Sequence, residues 1–350
     1  MKIIDIDCWG RKSSMSLNRN IGLDIVRAFA IVFVLSVHFF GQTHFYTTPL
    51  IGYNMYIQVF FRMTFIVCVP LFLVLTGYLQ INKEPTRSYY KKVIPIIVIY
   101  VIYSVLAILV RVFYFNEHKS VIEWVASICN FTADGYSWYI NMYIGLFLIS
   151  PFLNIMYKNL KTKRQKQLLI AIFVFVTGVP NFLNGKLQGV LFFPDYWTAM
   201  YPITYYFIGN YIREYQCKLN KKKGALGLLA IILLEVFFEV HYAGGGQFLM
   251  ENGSYGSFII TVQTILFFLI FYNVSMKNRL AVKVISTISI LSLDIYLASF
   301  ITDKFVYGIL FSKYFLPQHH MLVLFIPIVG TTFLLAFSLA FVRNKLVKLR

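Results

Sequence analysis

The stretch that decides the fold is Ile21 to Gln42, IGLDIVRAFAIVFVLSVHFFGQ. It is apolar and long enough to cross a bilayer as a helix, yet it carries Asp24, Arg27 and His38. Arg27 and His38 are eleven steps apart along the chain. At 100° per residue that returns to within about 20° of the same face, and at 1.5 Å per residue it spans roughly 16 Å along the axis. Asp24, three residues before Arg27, falls on the same stripe, and Ile31 and Leu35 lie on or near it. Charged and titratable groups in a membrane helix are costly unless they face a protein interior or a water-filled cavity. One face of this helix is therefore expected to line a polar path.

Working outward, the same apolar character recurs. The 350 residues are 59% hydrophobic and 18% aromatic, with mean hydropathy +0.69. A soluble domain of this size needs far more polar surface. The pattern predicts an all-α, polytopic membrane bundle of about ten transmembrane helices, at roughly 21–42, 58–81, 93–115, 135–157, 167–184, 198–215, 224–243, 257–276, 285–310 and 321–342. This leaves a membrane domain over 21–342, flanked by a cytoplasmic N-terminal segment, 1–20, and a basic tail, 343–350. The first twenty residues have no apolar h-region and no small-residue cleavage site.

The formal charge of +18 is mostly topological. With ten spans, 25 of the 32 Lys and Arg residues fall on the side of the termini, three on the other side and four within spans. By the positive-inside rule both termini are cytoplasmic. The distribution argues against nucleic acid and leaves anionic lipids or an anionic cytosolic ligand as partners. Cys8, Cys68, Cys129 and Cys217 have no metal-like spacing. His319 and His320 have neither a carboxylate nor a cysteine beside them, so no metal is expected.

Arg62 lies about four residues inside the external end of the second span, and His38 about four inside that of the first. A short loop joins the two spans, so the residues are expected at similar depth. An arginine there either snorkels to the interface or faces the cavity. Arg87, Lys91 and Lys92 stand at the opposite, cytoplasmic mouth. They read as positive-inside anchors or, grouped with Arg27, as a phosphate-binding cluster. Glu235 and Glu239 share a face of the seventh span, where they either contact substrate or pair with Arg62 or Arg111. Asp294 reads as a further arginine partner. Asp303 and Lys304 read as interfacial. Tyr136 and Trp138 read either as external aromatic-belt residues or as stacking surfaces for sugar rings, and the sequence does not separate the two.

Arg27-x10-His38 is followed in order by VPLFLVLTGYL (69–79), SYYKKVIP (88–95), SWYINMYIGLFLISPFLN (137–154), YYFIGNYI (205–212) and SLDIYLASFI (292–301). This series resembles the acyltransferase-3 family of bacterial integral-membrane O-acyltransferases over nearly the whole chain. The resemblance implies an enzyme of class EC 2.3.1 in the bacterial cytoplasmic membrane. Its expected reaction is transfer of an acyl group, commonly acetyl, from cytosolic acetyl-CoA or another acyl-CoA to a hydroxyl of an envelope glycan or lipid-linked sugar. Envelope-biosynthesis proteins are possible partners.

By that resemblance Arg27 and His38 are the primary pair. His38 is expected as general base and Arg62 as oxyanion donor. Arg27, Arg87, Lys91 and Lys92 would hold the anionic donor, and Glu235, Glu239, Trp138 and Tyr78 the acceptor. Asp24 is expected to orient Arg27. The chain departs from the family in three places. Thr76-Gly77-Tyr78 stands where members often have Ser-Gly-Tyr, Tyr136 where many have a histidine two positions before the tryptophan, and Ser299 where many have a histidine after Ile-Tyr-Leu. The rival reading of the same polar stripe is a permeation path in a transporter or flippase for a glycan precursor, or a non-catalytic export subunit.

The charge bias generates a topology test. A single cysteine placed near Lys222 should be protected from impermeant external reagents, and one near Gly245 should be labelled. The reverse pattern overturns the orientation.

Overall fold

The computed structural model describes residues 19–186, 194–249, 254–313 and 316–347. Most of the segment 1–20 and the last three residues of the tail 343–350 lie outside the described residues. Those described form helices and connections, with no strand among them. The chain is an all-α bundle and a multi-pass membrane protein.

The helices are α1 (Ile21–Gln42), α2 (Tyr53–Phe65), α3 (Cys68–Gln80), α4 (Arg87–Tyr90), α5 (Val93–Phe113), α6 (Val121–Cys129) and α7 (Trp138–Asn159). They continue as α8 (Lys163–Lys186), α9 (Tyr201–Tyr215), α10 (Lys221–Ala243), α11 (Phe258–Phe271), α12 (Arg279–Ile290), α13 (Ser292–Lys313) and α14 (Phe325–Leu346).

Eight described segments are long and apolar enough to cross a membrane, against the ten spans the sequence predicts. The other two, at 198–215 and 257–276, are present as shorter helices, α9 and α11 of 15 and 14 residues. Most of α9 is buried in the protein, including Thr204 and Asn210, so its sequence is not that of a lipid-facing helix. The second span is two helices. Pro70, near the start of α3, has no N–H to continue the ladder, and the chain turns at Ile66 and Val67 before resuming. The ninth span starts at Ser292 rather than 285. The residues before it form the separate helix α12, with a break at Leu291.

The connections sort into two ends. Leu50 N–H donates to Gly246 O at 2.8 Å, Gln247 Nε2 to Thr47 O, and Gln318 bonds Gln58 and Thr43. At the other end Asn154 Nδ2 donates to the carbonyls of Gln80 and Lys83, Lys166 pairs with Glu214, and Tyr272 OH donates to Cys217 O. The loops that alternate along the sequence thus meet the loops of their own set.

The tightest crossing is α3 on α9. A Cβ on Gly77 would stand 2.0 Å from Tyr206 O, and one on Gly209 would stand 2.2 Å from Val74 O. Small residues let two membrane helices approach backbone to backbone. Gly77 therefore fixes this contact rather than bending α3. Helix α1 lies against α2, α3, α11, α12, α13 and α14, which places the Arg27–His38 face inside the bundle.

Gly77→Ala should lower the thermal midpoint of the purified protein, at a cost of about 1–3 kcal/mol for overpacking. Gly145→Ala, where a Cβ meets nothing within 4 Å, is the control. Equal midpoints for the two variants would contradict the crossing.

Candidate functional site

Helix α1 is unbroken from Ile21 to Gln42, so Arg27 and His38 share one face with the predicted rise between them. Asn20 caps it, its side chain accepting from Gly22 N–H. A Cβ on Gly22 would stand 2.2 Å from Tyr272 O, so the Arg27 end of α1 packs directly on the end of α11.

At that end Asp24 does not pair with Arg27 as expected. Its carboxylate takes two hydrogen bonds from Arg19, at 2.5 and 2.7 Å. It also accepts the hydroxyls of Ser286 at 3.0 Å and Ser289 at 2.6 Å, both on α12. Arg27 Nη1 donates to the same Ser289 oxygen at 3.1 Å. Asp24 and Arg27 are therefore joined through Ser289. The reason is that α12 inserts its two serines beside α1 and supplies a fork of acceptors and donors that a bare helix face lacks.

His38, at the other end, is stacked and flanked. The Tyr136 ring lies parallel to it, with centroids 3.7 Å apart at 25°. Asp303 Oδ2 is 3.2 Å from His38 Nδ1, within ion-pair distance but off the line of a hydrogen bond. The same Asp303 oxygen accepts the Tyr136 hydroxyl at 2.8 Å, and that hydroxyl accepts from Gln42 Nε2 at 2.9 Å. Tyr296 OH donates to the Tyr136 carbonyl. Asp303 is 1% exposed, so it is a partner of His38 and not the interfacial residue the sequence suggests. Tyr136 is likewise part of this cluster rather than of an aromatic belt. Ser299 is buried and donates to Tyr296 O at 2.7 Å.

Two cavities lie along the face between these ends. The one at Arg27 is lined by Phe72, Leu75, Thr76, Leu79, Tyr139 and Tyr143 as well. The next is lined by Val34, Val69, Phe72, Tyr139, Ser292, Leu293 and Tyr296. Phe72 and Tyr139 line both. Val34, seven residues after Arg27 and four before His38, is the α1 side chain that lines the path. Ile31 and Leu35 are buried in packing and line neither cavity.

The remaining predicted residues fall into three places. Arg62 is buried on α2. Its Nε donates to Tyr46 OH at 2.7 Å, and its guanidinium lies 5.3 Å from the Phe248 ring centre. Tyr255 and Cys68 are electrostatic neighbours. Its described partners are thus not those of His38. Glu239 is buried and accepts Leu249 N–H at 2.5 Å. Glu235, also buried, is one turn away on α10. Arg111 goes elsewhere, to Glu117 and the Ala133 carbonyl, so it is not the partner of these glutamates. Trp138 is 39% exposed and stacks on Tyr255, with centroids 5.7 Å apart.

Tyr78 sits at the Arg27 end, not with the other acceptor candidates. It packs on Tyr272, and Arg213 lies 5.1 Å over its ring and donates to its hydroxyl at 3.3 Å. Arg87 and Lys91 are exposed, and Lys92 is half-buried. Asp294 finds its arginine in Arg343, bonded in a bidentate pair at 2.5 and 2.6 Å, with both side chains buried.

Asp303 was the residue hardest to see, though a signal exists. It is seven residues after Tyr296, so it stands on the face of α13 that bears the motif's tyrosine. With Asp303 beside Nδ1, the imidazole keeps Nε2 for a proton from a reacting hydroxyl.

A family model described as an acyltransferase domain matches residues 20–342. No curated protein and no solved structure matches the chain. The match spans nearly the whole length, and the chain belongs to the acyltransferase-3 family.

Proposed function

We propose that this member of the acyltransferase-3 family moves an acyl group, acetyl by preference, from a cytosolic acyl-CoA to a hydroxyl of an envelope glycan or lipid-linked sugar. The observation that carries the reading is the line of two cavities between Arg27 and His38 along α1. It suits a donor with an anionic nucleotide and a long thin arm. The charge bias along the sequence puts the Arg27 end in the cytoplasm, where Arg87, Lys91 and Lys92 face the incoming nucleotide and Arg27 meets its phosphate-bearing end. Arg213, over Tyr78, adds a cation to that mouth. The membrane is then the bacterial cytoplasmic membrane.

At the far end His38 Nε2 takes the proton from the acceptor hydroxyl as its oxygen attacks the thioester carbonyl. The new C–O bond forms, the C–S bond breaks, and the thiolate leaves with the proton that His38 returns to sulfur. Asp303, 3.2 Å from Nδ1, stabilises by its charge the imidazolium formed during the transfer. Tyr136 keeps the ring flat against it. Trp138, with the aromatic group around Tyr255, supplies a stacking surface for a sugar. Arg62, Glu235 and Glu239 belong to that acceptor side, and Arg62 is the cation available to a developing oxyanion there. Tyr78 moves to the donor side.

Transfer from labelled acetyl-CoA, with mass spectrometry of envelope glycans from cells with and without the protein, tests the reading. His38→Ala should lower the transfer rate about 10²–10⁴-fold at equal protein levels, and Asp303→Asn should lower it less. Full activity of His38→Ala would remove His38 as the base. Arg27→Lys keeps the charge but loses the planar fork, so it should weaken CoA binding. Neutralising Lys91 and Lys92 together should weaken it further, in a salt-sensitive way. Unchanged affinity in both variants would move the donor site elsewhere.

A further inference from the structure

The two cavities are separated by one pair of rings. Phe72 on α3 and Tyr139 on α7 line both spaces, with ring centroids 6.0 Å apart and planes tilted by 51°. On α3 the path is lined by Val69, Phe72, Leu75, Thr76 and Leu79, which share one side of the helix. Phe72 therefore stands between the inner and outer spaces. Tyr139 is buried, edge-on to Tyr296 at 5.5 Å and beside Tyr143 at 6.1 Å.

A methylene seated between two rings needs about 3.5–4.0 Å to each, so about 7–8 Å between them. The pair stands closer than that. A straight chain would pass after a small rotation of the Phe72 ring. A branched or aromatic group needs a wider opening, which the close packing around the buried Tyr139 resists.

We propose that Phe72 and Tyr139 form a constriction through which the acyl end of the donor is threaded, and that it selects unbranched acyl thioesters over branched or aromatic ones. This rests on the acyl-CoA reading of the site. The acyl group enters first because the nucleotide stays at the cationic mouth, so every donor has to pass the ring pair before its carbonyl reaches His38. The inner space beyond, walled mainly by Val34, Val69 and Leu293, then holds the apolar end of the arm.

The test compares kcat/KM for acetyl-CoA, isobutyryl-CoA and benzoyl-CoA on the full-length protein in nanodiscs. Phe72→Ala should raise the ratio of bulky to acetyl donor by about tenfold, the size of one or two methylenes' discrimination in an apolar site. Phe72→Trp should move the ratio the other way. If Phe72→Ala does not accumulate, Phe72→Leu and Tyr139→Leu make the same comparison with a smaller expected rise. Transfer that proceeds with unchanged ratios in the opening and narrowing variants overturns the constriction and leaves the acyl-transfer reading standing. A wild-type protein that uses none of the three donors overturns both.

Discussion

A charge inside a membrane helix has to be met by a partner within the bundle, and that requirement organises this protein around α13. Its two aspartates, Asp294 and Asp303, are nine residues apart, half a turn out of phase. Asp294 takes a buried bidentate pair from Arg343 of α14. Asp303 faces His38 of α1 and accepts the Tyr136 hydroxyl. Helix α13 is thereby fixed between α14 and α1. Removing one member of such a pair leaves an uncompensated buried charge, typically a loss of 3–5 kcal/mol. The rotation of α13, and with it the placement of Asp303, is thus set by a contact outside the site.

The same logic holds the other end of α1. Asp24 gathers Arg19 and two serines of α12, and Ser289 passes the connection to Arg27. The guanidinium is held by one described hydroxyl, which suits the proposed anion-binding role better than a closed ion pair would. The bundle is drawn together next to this by glycine. The backbones of α3 and α9 touch at Gly77 and Gly209, which seats the α3 stripe of Val69, Phe72 and Thr76 along the cavities. A contact without chemistry of its own thus sets the width of the path.

Much of this was legible in order along the chain. The spans and the shared face of Arg27 and His38 follow from apolar runs and helical periodicity, which depend on local sequence, and the family resemblance rests on the order of its motifs. The shorter α9 and α11 were harder to assign, because a helix sheltered by protein needs neither the length nor the hydropathy of one facing lipid. The partners were least legible. Asp24 lies three residues from Arg27, and that spacing suggests a pair. The alternative, Ser289, is more than 260 residues away and competes successfully because α12 delivers it there.

By itself the sequence determined an all-helical membrane protein with a polar stripe from Arg27 to His38 and a strong charge bias between its loops. These are consequences of the cost of polar groups in lipid and of 3.6 residues per turn, and neither requires knowledge of what lies opposite. Only the tertiary structure decided that Asp303 and Tyr136 belong to His38, that Tyr78 belongs with Arg213 at the other end, and that Phe72 and Tyr139 divide the path. Each of those depends on which face of a second helix is turned toward the first. That rotation is fixed by buried pairs and close backbone contacts between residues far apart in the chain, which the periodicity of a single helix does not contain.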